Sequence, residues 1–255
     1  MGAMNRTALV TGGARSIGAA ISRTLAEDGY AVAVHARSER DAVHDFVASL
    51  PGDSHVAVFG DISVPGAAEG IVHQAIERLG HLDLLVNNAG IHIASDLEHG
   101  DFERWHTQWS DQFATNVFGT ANVTYAAVQH FLHRAGGPSG ARIVNIGSRG
   151  AYRGEPDAPA YGASKAAVHS MTQSLAVALA PHGIAVAAVA PGFIATERTS
   201  GMLDSPAGER VRGQSPFGRV GQPQEVASAV AWLASPDAVW ASGAILDLNG
   251  ASYLR

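Results

Sequence analysis

The sequence contains no cysteine. Disulfides, thiolate metal sites and a cysteine nucleophile are therefore excluded together. Lysine is nearly missing as well: of 17 basic residues, 16 are arginine and one, Lys165, is lysine. Charged residues make up only 16% of the chain, and 17 basic against 23 acidic side chains leave a formal charge of −6. With no basic block, neither nucleic acid nor an anionic membrane surface is an expected partner. No apolar run approaches the ~20 residues of a membrane-spanning helix, and the run Gly183–Ala190 is only of strand length. The start, Met1-Gly2-Ala3-Met4, lacks the apolar core of an export signal, so a cytoplasmic location is expected. Met4 as well as Met1 reads as a natural start.

What the chain does have is a hydrophobic share of 46% over 255 residues, which excludes disorder and supports a large core. Short apolar runs at Thr7–Val10, Ala31–Val34, His55–Phe59, Leu82–Val86, Arg142–Ile146, Ile184–Val189 and Ala244–Leu248 read as buried strands. Segments of helical spacing lie between them, such as Ile17–Glu27, Arg40–Leu50 and Pro65–Leu79. Strands apolar throughout and separated by helices predict an α/β fold, a seven-stranded parallel sheet doubly wound with helices on both faces. One domain, residues 1–255, accounts for the whole chain. Residues 193–216 break the rhythm with mixed polar, Gly and Pro residues, and are expected to form a substrate loop.

Directly after the first strand comes Thr11-Gly-Gly-Ala-Arg-Ser-Ile-Gly18, leading into a helix. Glycines let the backbone approach a pyrophosphate, and the helix N-terminus offers free N–H groups and a favourable dipole. An acidic residue for a ribose 2′-hydroxyl is expected about 20 residues later. The sequence there is Val34-His35-Ala36-Arg37, and Arg15 adds a second guanidinium within the glycine turn. Two arginines without a carboxylate suit a 2′-phosphate, so NADP(H) is expected over NAD(H).

The single lysine lies in Tyr161-Gly-Ala-Ser-Lys165. Positions i and i+4 share a helix face, so Tyr161 and Lys165 project together. An ammonium near a phenol favours the phenolate and brings it toward the working range of a general acid or base. Thirteen residues before Tyr161, Ser148 closes the fifth strand in Ile146-Gly-Ser148.

Taken with Asn87-Asn-Ala-Gly90 and Asn116-Val-Phe-Gly119, in this order, these segments resemble the short-chain dehydrogenase/reductase family over nearly the whole chain. The glycine turn is similar to that family's Thr-Gly-x-x-x-Gly-x-Gly, with Ser16 in the place of the middle glycine. The resemblance implies a Rossmann-type fold and a reversible hydride transfer between NADPH and a ketone or secondary alcohol. It implies Asn116, Ser148, Tyr161 and Lys165 as catalytic residues: Tyr161 the proton donor, Ser148 the partner of the substrate oxygen, Lys165 orienting the nicotinamide ribose, and Asn116 holding a proton-supplying water. For the cofactor it implies Gly12, Arg15, Ser16, Ile17 and Gly18 at the phosphates, Arg37, Asp61 and Ile62 around the adenosine, and Asn88, Ala89 and Gly90 beside them. Pro191, Gly192, Ile194 and Thr196 are implied at the nicotinamide carboxamide, and a dimer or tetramer through helices around 101–131 and 158–180.

Within the family the chain is most like 3-oxoacyl-(acyl-carrier-protein) reductases. Those proteins carry basic residues where this chain has Gln129 and Val177, so an acyl group on another carrier, or a free ketone, sugar or ring alcohol, is an equally open substrate. A non-enzymatic NADP-sensing regulator is the alternative of another class. Arg149 and Arg153 are expected either to meet a substrate anion or to be exposed loop charges. No metal site is expected: His130-Phe-Leu-His133 has no third partner nearby, and both histidines read as solvated. Trp105 and Trp109, at i and i+4, read as packing or subunit contacts.

Overall fold

A computed structural model describes residues 6–255, with Arg198 described by its backbone alone; Met1–Met4 lie outside the described residues. Strands β1 (Thr7–Val10), β2 (Ala31–Ala36) and β3 (Val56–Phe59) alternate with helices α1 (Ser16–Glu27), α2 (Asp41–Ala48) and α3 (Pro65–Leu79). The second half holds β4 (Leu84–Asn87), α4 (Phe102–Phe113), α5 (Thr120–His133), β5 (Arg142–Ile146), the short α6 (Gly150–Arg153), α7 (Pro159–Leu179) and β6 (Ala185–Pro191). Helices α8 (Glu197–Leu203), α9 (Pro206–Arg212) and α10 (Pro223–Ala234) then lead to β7 (Ile245–Leu248). The strands form one parallel sheet in the order β3-β2-β1-β4-β5-β6-β7.

The order reverses between β1 and β4, which puts a ligand crevice beyond their carboxyl ends. Successive strand residues point to opposite faces, and both faces are dry. Ala8 and Val10 pack with Ile21 and Leu25 of α1 and with Val226 and Val230 of α10. Leu9 between them packs with Ile71 of α3, Val123 and Phe131 of α5 and Leu179 of α7. Each such fully buried side chain contributes roughly 1.5–3 kcal/mol. A buried polar chain ties the middle of the sheet: Asn87 Nδ2 donates to Thr124 Oγ1 at 2.8 Å and to Asn145 Oδ1 at 2.9 Å, and Asn145 Nδ2 donates to Thr172 Oγ1 at 2.8 Å.

One segment differs from its sequence reading. Residues 193–216 are not an irregular loop: Thr196 and Thr199 cap α8 reciprocally, and Ser205 followed by Pro206 starts α9. The polar, Pro-containing composition is that of helix starts rather than of an irregular loop. The stretch around 101–131 holds α4 and α5. Between α4 and α5, residues Ala114–Gly119 form a π-helical turn, with Asn116 buried in it. Such turns insert one extra residue and often mark sites of function.

Candidate active site

Thr11 is the joint of the crevice. Its hydroxyl accepts the N–H groups of Asn88 at 2.9 Å and Ala89 at 3.0 Å, while Asn88 Nδ2 donates to the carbonyls of Thr11 and Gly12 at 2.8 and 3.1 Å. Gly12 has φ +62°, and a Cβ at Gly18 would collide with the Gly12 carbonyl and Asn88 Nδ2. Both glycines are thus set by backbone, one by conformation and one by close approach. Ser16 has φ +51°, a left-handed conformation that costs a non-glycine residue on the order of 1 kcal/mol. The N-cap of α1, Arg15, provides no side-chain cap, so the first N–H groups of the helix face the crevice.

His35 supports this turn from below, a role that sequence reading missed. It is 2% exposed; its Nδ1 accepts the Gly12 N–H at 3.1 Å and its Nε2–H donates to the Gly60 carbonyl at 2.9 Å. Those bonds fix one neutral tautomer, and burial holds the ring below its ordinary pKa. Beyond β2, the guanidinium of Arg37 stands 3.9 Å from Asp61, with both side chains exposed. Asp61 accepts from the N–H and hydroxyl of Ser63 at 2.9 and 2.7 Å, and these bonds, the hydroxyl's first, lower its pKa. A carboxylate is therefore present beside Arg37, although β2 itself supplies none. Ile62 is buried, and its carbonyl accepts from Asn122 Nδ2 at 3.3 Å.

At the end of β5 stands Ser148, 8% exposed, its Oγ accepting the Gly150 N–H at 3.0 Å. Tyr161 and Lys165 follow one helical turn apart on α7, the Lys165 Nζ lying 5.9 Å from the Tyr161 ring centroid. Lys165 Nζ donates to the Ile146 carbonyl at 2.7 Å, and burial pushes its ammonium down to about 8. Asn116 Nδ2 donates to the Ile91 carbonyl at 2.9 Å and to Ser164 Oγ at 3.0 Å, and its Oδ1 accepts the Ile91 N–H at 2.8 Å. Gln112 accepts the Ile93 N–H at 3.0 Å. Two amides thus clamp the segment 91–93, and this segment lays the His92 ring against Tyr161 with centroids 4.7 Å apart. Neither His92 nor Gln112 carries a spacing signal in the sequence.

The segment after β6 is pinned from both sides. The Gly192 N–H donates to Leu248 at 3.0 Å, and residues 193–195 pair with Gly221. Pro191 ends β6 and Ile194 is 7% exposed, while the Thr196 hydroxyl lies 3.2 Å from that of Thr199.

Behind Ser148 lies His169, 4% exposed, its Nε2 accepting the Ser148 N–H at 3.4 Å and its Nδ1 buried without a hydrogen-bond partner. Burial, reinforced by the nearby Lys165, pushes its pKa down to about 4. The folded ring is thus neutral well below the ordinary value near 6.5, and the unfolded chain binds more protons between those limits. Stability is fully present above about pH 6.5 and falls toward pH 4, by up to about 3 kcal/mol from this group. In denaturant titrations His169→Gln is expected to flatten that slope by nearly one proton; an unchanged slope overturns the assignment. His130 is half-buried rather than simply solvated: its Nε2 accepts the Leu82 N–H at 3.1 Å. Trp105 and Trp109 pack on each other at 5.5 Å, and Trp109 on Phe113 at 5.7 Å.

A family model described as enoyl-(acyl carrier protein) reductase matches residues 12–250. The chain belongs to the short-chain dehydrogenase/reductase family. It is 36% identical to the 3-oxoacyl-(acyl-carrier-protein) reductase of Vibrio cholerae over 251 residues, 98% of either chain. It is 37% identical to the acetoacetyl-CoA reductase of Shinella zoogloeoides over 252 residues, 98% of this chain and 99% of the other. Among solved structures, a Burkholderia cenocepacia short-chain dehydrogenase in complex with NADP superposes with TM-score 0.86 at 33% identity, covering 97% of both chains. The Brucella melitensis 3-ketoacyl-(acyl-carrier-protein) reductase complexed with NADH does so with TM-score 0.86 at 31% identity, covering 98% of both. The chain is thus an oxidoreductase of this family, acting on a ketone or alcohol. No helix among the described residues is long and apolar enough to cross a membrane.

Proposed function

We propose that the protein is a cytoplasmic, NADPH-preferring reductase of 3-oxoacyl thioesters, with Asn116, Ser148, Tyr161 and Lys165 at its centre. One observation carries the reading: a buried lysine, held by the Ile146 carbonyl at the end of β5, stands beside Tyr161 one helical turn away. A buried ammonium spends only one of its three donors there, which leaves two for ribose hydroxyls. The uncapped N-terminus of α1 and the backbone-limited Gly12 and Gly18 fit a pyrophosphate. Arg15, Ser16 and Ile17 would hold that end of the cofactor, Asp61 and Ile62 the adenine, Asn88, Ala89 and Gly90 the ribose, and Pro191, Gly192, Ile194 and Thr196 the carboxamide.

When bound, the nicotinamide supplies the hydride that reduces the carbonyl carbon. Tyr161 gives its phenolic proton to the substrate oxygen, and Ser148 hydrogen-bonds that oxygen as charge gathers on it. The Lys165 ammonium favours the phenolate that remains and so eases this transfer. Asn116 holds segment 91–93 and, through Ser164, the first turn of α7; it acts as a positioning residue at the proton-supply end of the site. Helices α8 and α9 would cover the substrate.

Two features favour a small thioester carrier over a carrier protein. Val177 is 79% exposed and apolar where a basic landing residue would be needed, and an acetoacetyl-CoA reductase stands among the relatives. An NADPH-oxidation assay should show turnover on acetoacetyl-CoA above that on cyclic ketones and sugars. Tight NADPH binding with no turnover on any carbonyl would replace the enzyme by an NADP-sensing regulator.

Arg37 and Arg15 carry the cofactor preference. Replacing Arg37 with aspartate removes a charge-assisted contact of about 1.5–3 kcal/mol and places a second carboxylate beside Asp61. The NADPH to NADH ratio of kcat/KM is expected to fall by about 10- to 100-fold. A ratio unchanged in this variant rejects the preference. A dimer or tetramer completes the reading, since Tyr125 on α5 is 68% exposed; light scattering would test it.

A further inference from the structure

Arg149 follows Ser148 in sequence but leaves the reaction centre. It is 2% exposed, so it is neither a solvated loop charge nor, like Arg153, a surface residue. Its Nη1 donates to Ser252 Oγ at 2.6 Å, its guanidinium lies 5.8 Å from the Phe193 ring centroid, and its Nε is buried without a hydrogen-bond partner. Among the described residues no carboxylate pairs with it; Glu155 acts on it only through space. Arginine stays charged even when buried, so this is an uncompensated cation inside the protein.

Arg149 lines a cavity of about 250 Å³ between the α9 side of the substrate-covering helices and the loop after β7. Two carboxylates also reach its wall, and each has its own cation. Glu225 takes both guanidinium branches of Arg219 at 2.8 Å, and Asp247 accepts from Arg255 Nε at 2.8 Å. The remaining charge of the cavity is therefore that of Arg149. Much of the rest of the wall is apolar, from Phe193, Val211 and Leu248. Neither Ser148 nor Tyr161 lines it.

We propose that this cavity is a binding site for a small organic monocarboxylate, separate from the hydride-transfer centre. The carboxylate would pair with the guanidinium of Arg149 where it meets the cavity, and a short apolar body would lie against Phe193 and Val211. The volume stands below the usual range for drug-sized ligands, which suits an acid of a few carbons and excludes a nucleotide. Because Phe193 and Ile194 share the segment proposed to hold the nicotinamide carboxamide, occupancy would stiffen that segment.

The test is calorimetric titration of sodium butyrate into the protein saturated with NADP⁺, against sodium chloride at equal ionic strength. Saturable binding is expected in the wild type. It should weaken about tenfold or more in Arg149→Met, from loss of a charge-assisted contact. Val211→Trp, which fills the cavity and leaves the arginine in place, should abolish it and carries the test if Arg149→Met does not fold. The proposal is overturned by absence of saturable binding in the wild type, by equal binding in Arg149→Met, or by butyrate that competes with the ketone substrate and ignores Val211→Trp.

Discussion

Tyr161→Phe is expected to lower kcat by about 10²- to 10⁴-fold, the range for loss of a positioned general acid, while NADPH still binds. The substitution removes one oxygen and keeps the ring, so the contact with His92 and the helix face shared with Lys165 survive. A catalytic phenol predicts a fall in kcat with little change in cofactor affinity. A substrate-binding phenol predicts instead a rise in KM at preserved kcat. Stopped-flow hydride transfer in the variant, with cofactor affinity by fluorescence, separates the two. Residual turnover within tenfold of the wild type would remove Tyr161 from the chemistry.

Lys165→Met has an expected effect of the opposite sign on stability and activity. Burial lowers the ammonium from 10.5 to about 8, so between those limits the unfolded chain binds more protons than the folded one. The sign is unfavourable: stability rises with pH across that window, and at pH 7 the charged lysine carries a cost of about 3 kcal/mol. Methionine fills the same space without the charge, at the loss of one hydrogen bond to the Ile146 carbonyl. The cofactor-free variant should therefore melt higher, by roughly 2–6 °C for a gain of about 1–2 kcal/mol in a domain of this size. Turnover should fall by at least about 10²-fold, because the phenolate loses its neighbouring cation. A structural lysine would show the reverse pattern, a lower melting point with activity kept. Lys165→Arg gives a finer test, since a planar fork cannot replace three freely directed donors in the same pocket.

The parts of the fold legible in the sequence are those governed by burial on both sides. Arg142–Ile146 reads as a strand because all five residues are buried in an all-parallel sheet. Its lone arginine keeps an internal carbonyl partner, with Nη1 donating to Ala141 at 3.1 Å. Tyr161 and Lys165 were legible because one helical turn suffices to bring them together. His35 was not, because its partners Gly12 and Gly60 lie more than 20 residues away on two other strand ends, and nothing local distinguishes it from a surface histidine. The burial of Arg149 was not legible for the opposite reason: charged residues are seldom buried, so of its two sequence readings the exposed loop charge followed the usual rule. Helices α8 and α9 escaped because seven residues each, with Gly201 and Gly208 inside, show too little periodicity to register.

The π-helical turn at Ala114–Gly119 has a consequence for how this chain tolerates insertion and deletion. An ordinary helix advances 100° per residue, so one surplus residue puts everything before it out of phase with everything after it. The aromatic ridge of Trp105 and Trp109 and the core-facing Val123 and Phe131 are matched across that slip, and Asn116 sits where the two phases meet. Deleting a single residue here would let the backbone relax into a regular helix and swing Asn116 away from Ile91, although no side chain of the site had been changed. For this helix, the length of the chain is as much a part of the active site as its chemistry.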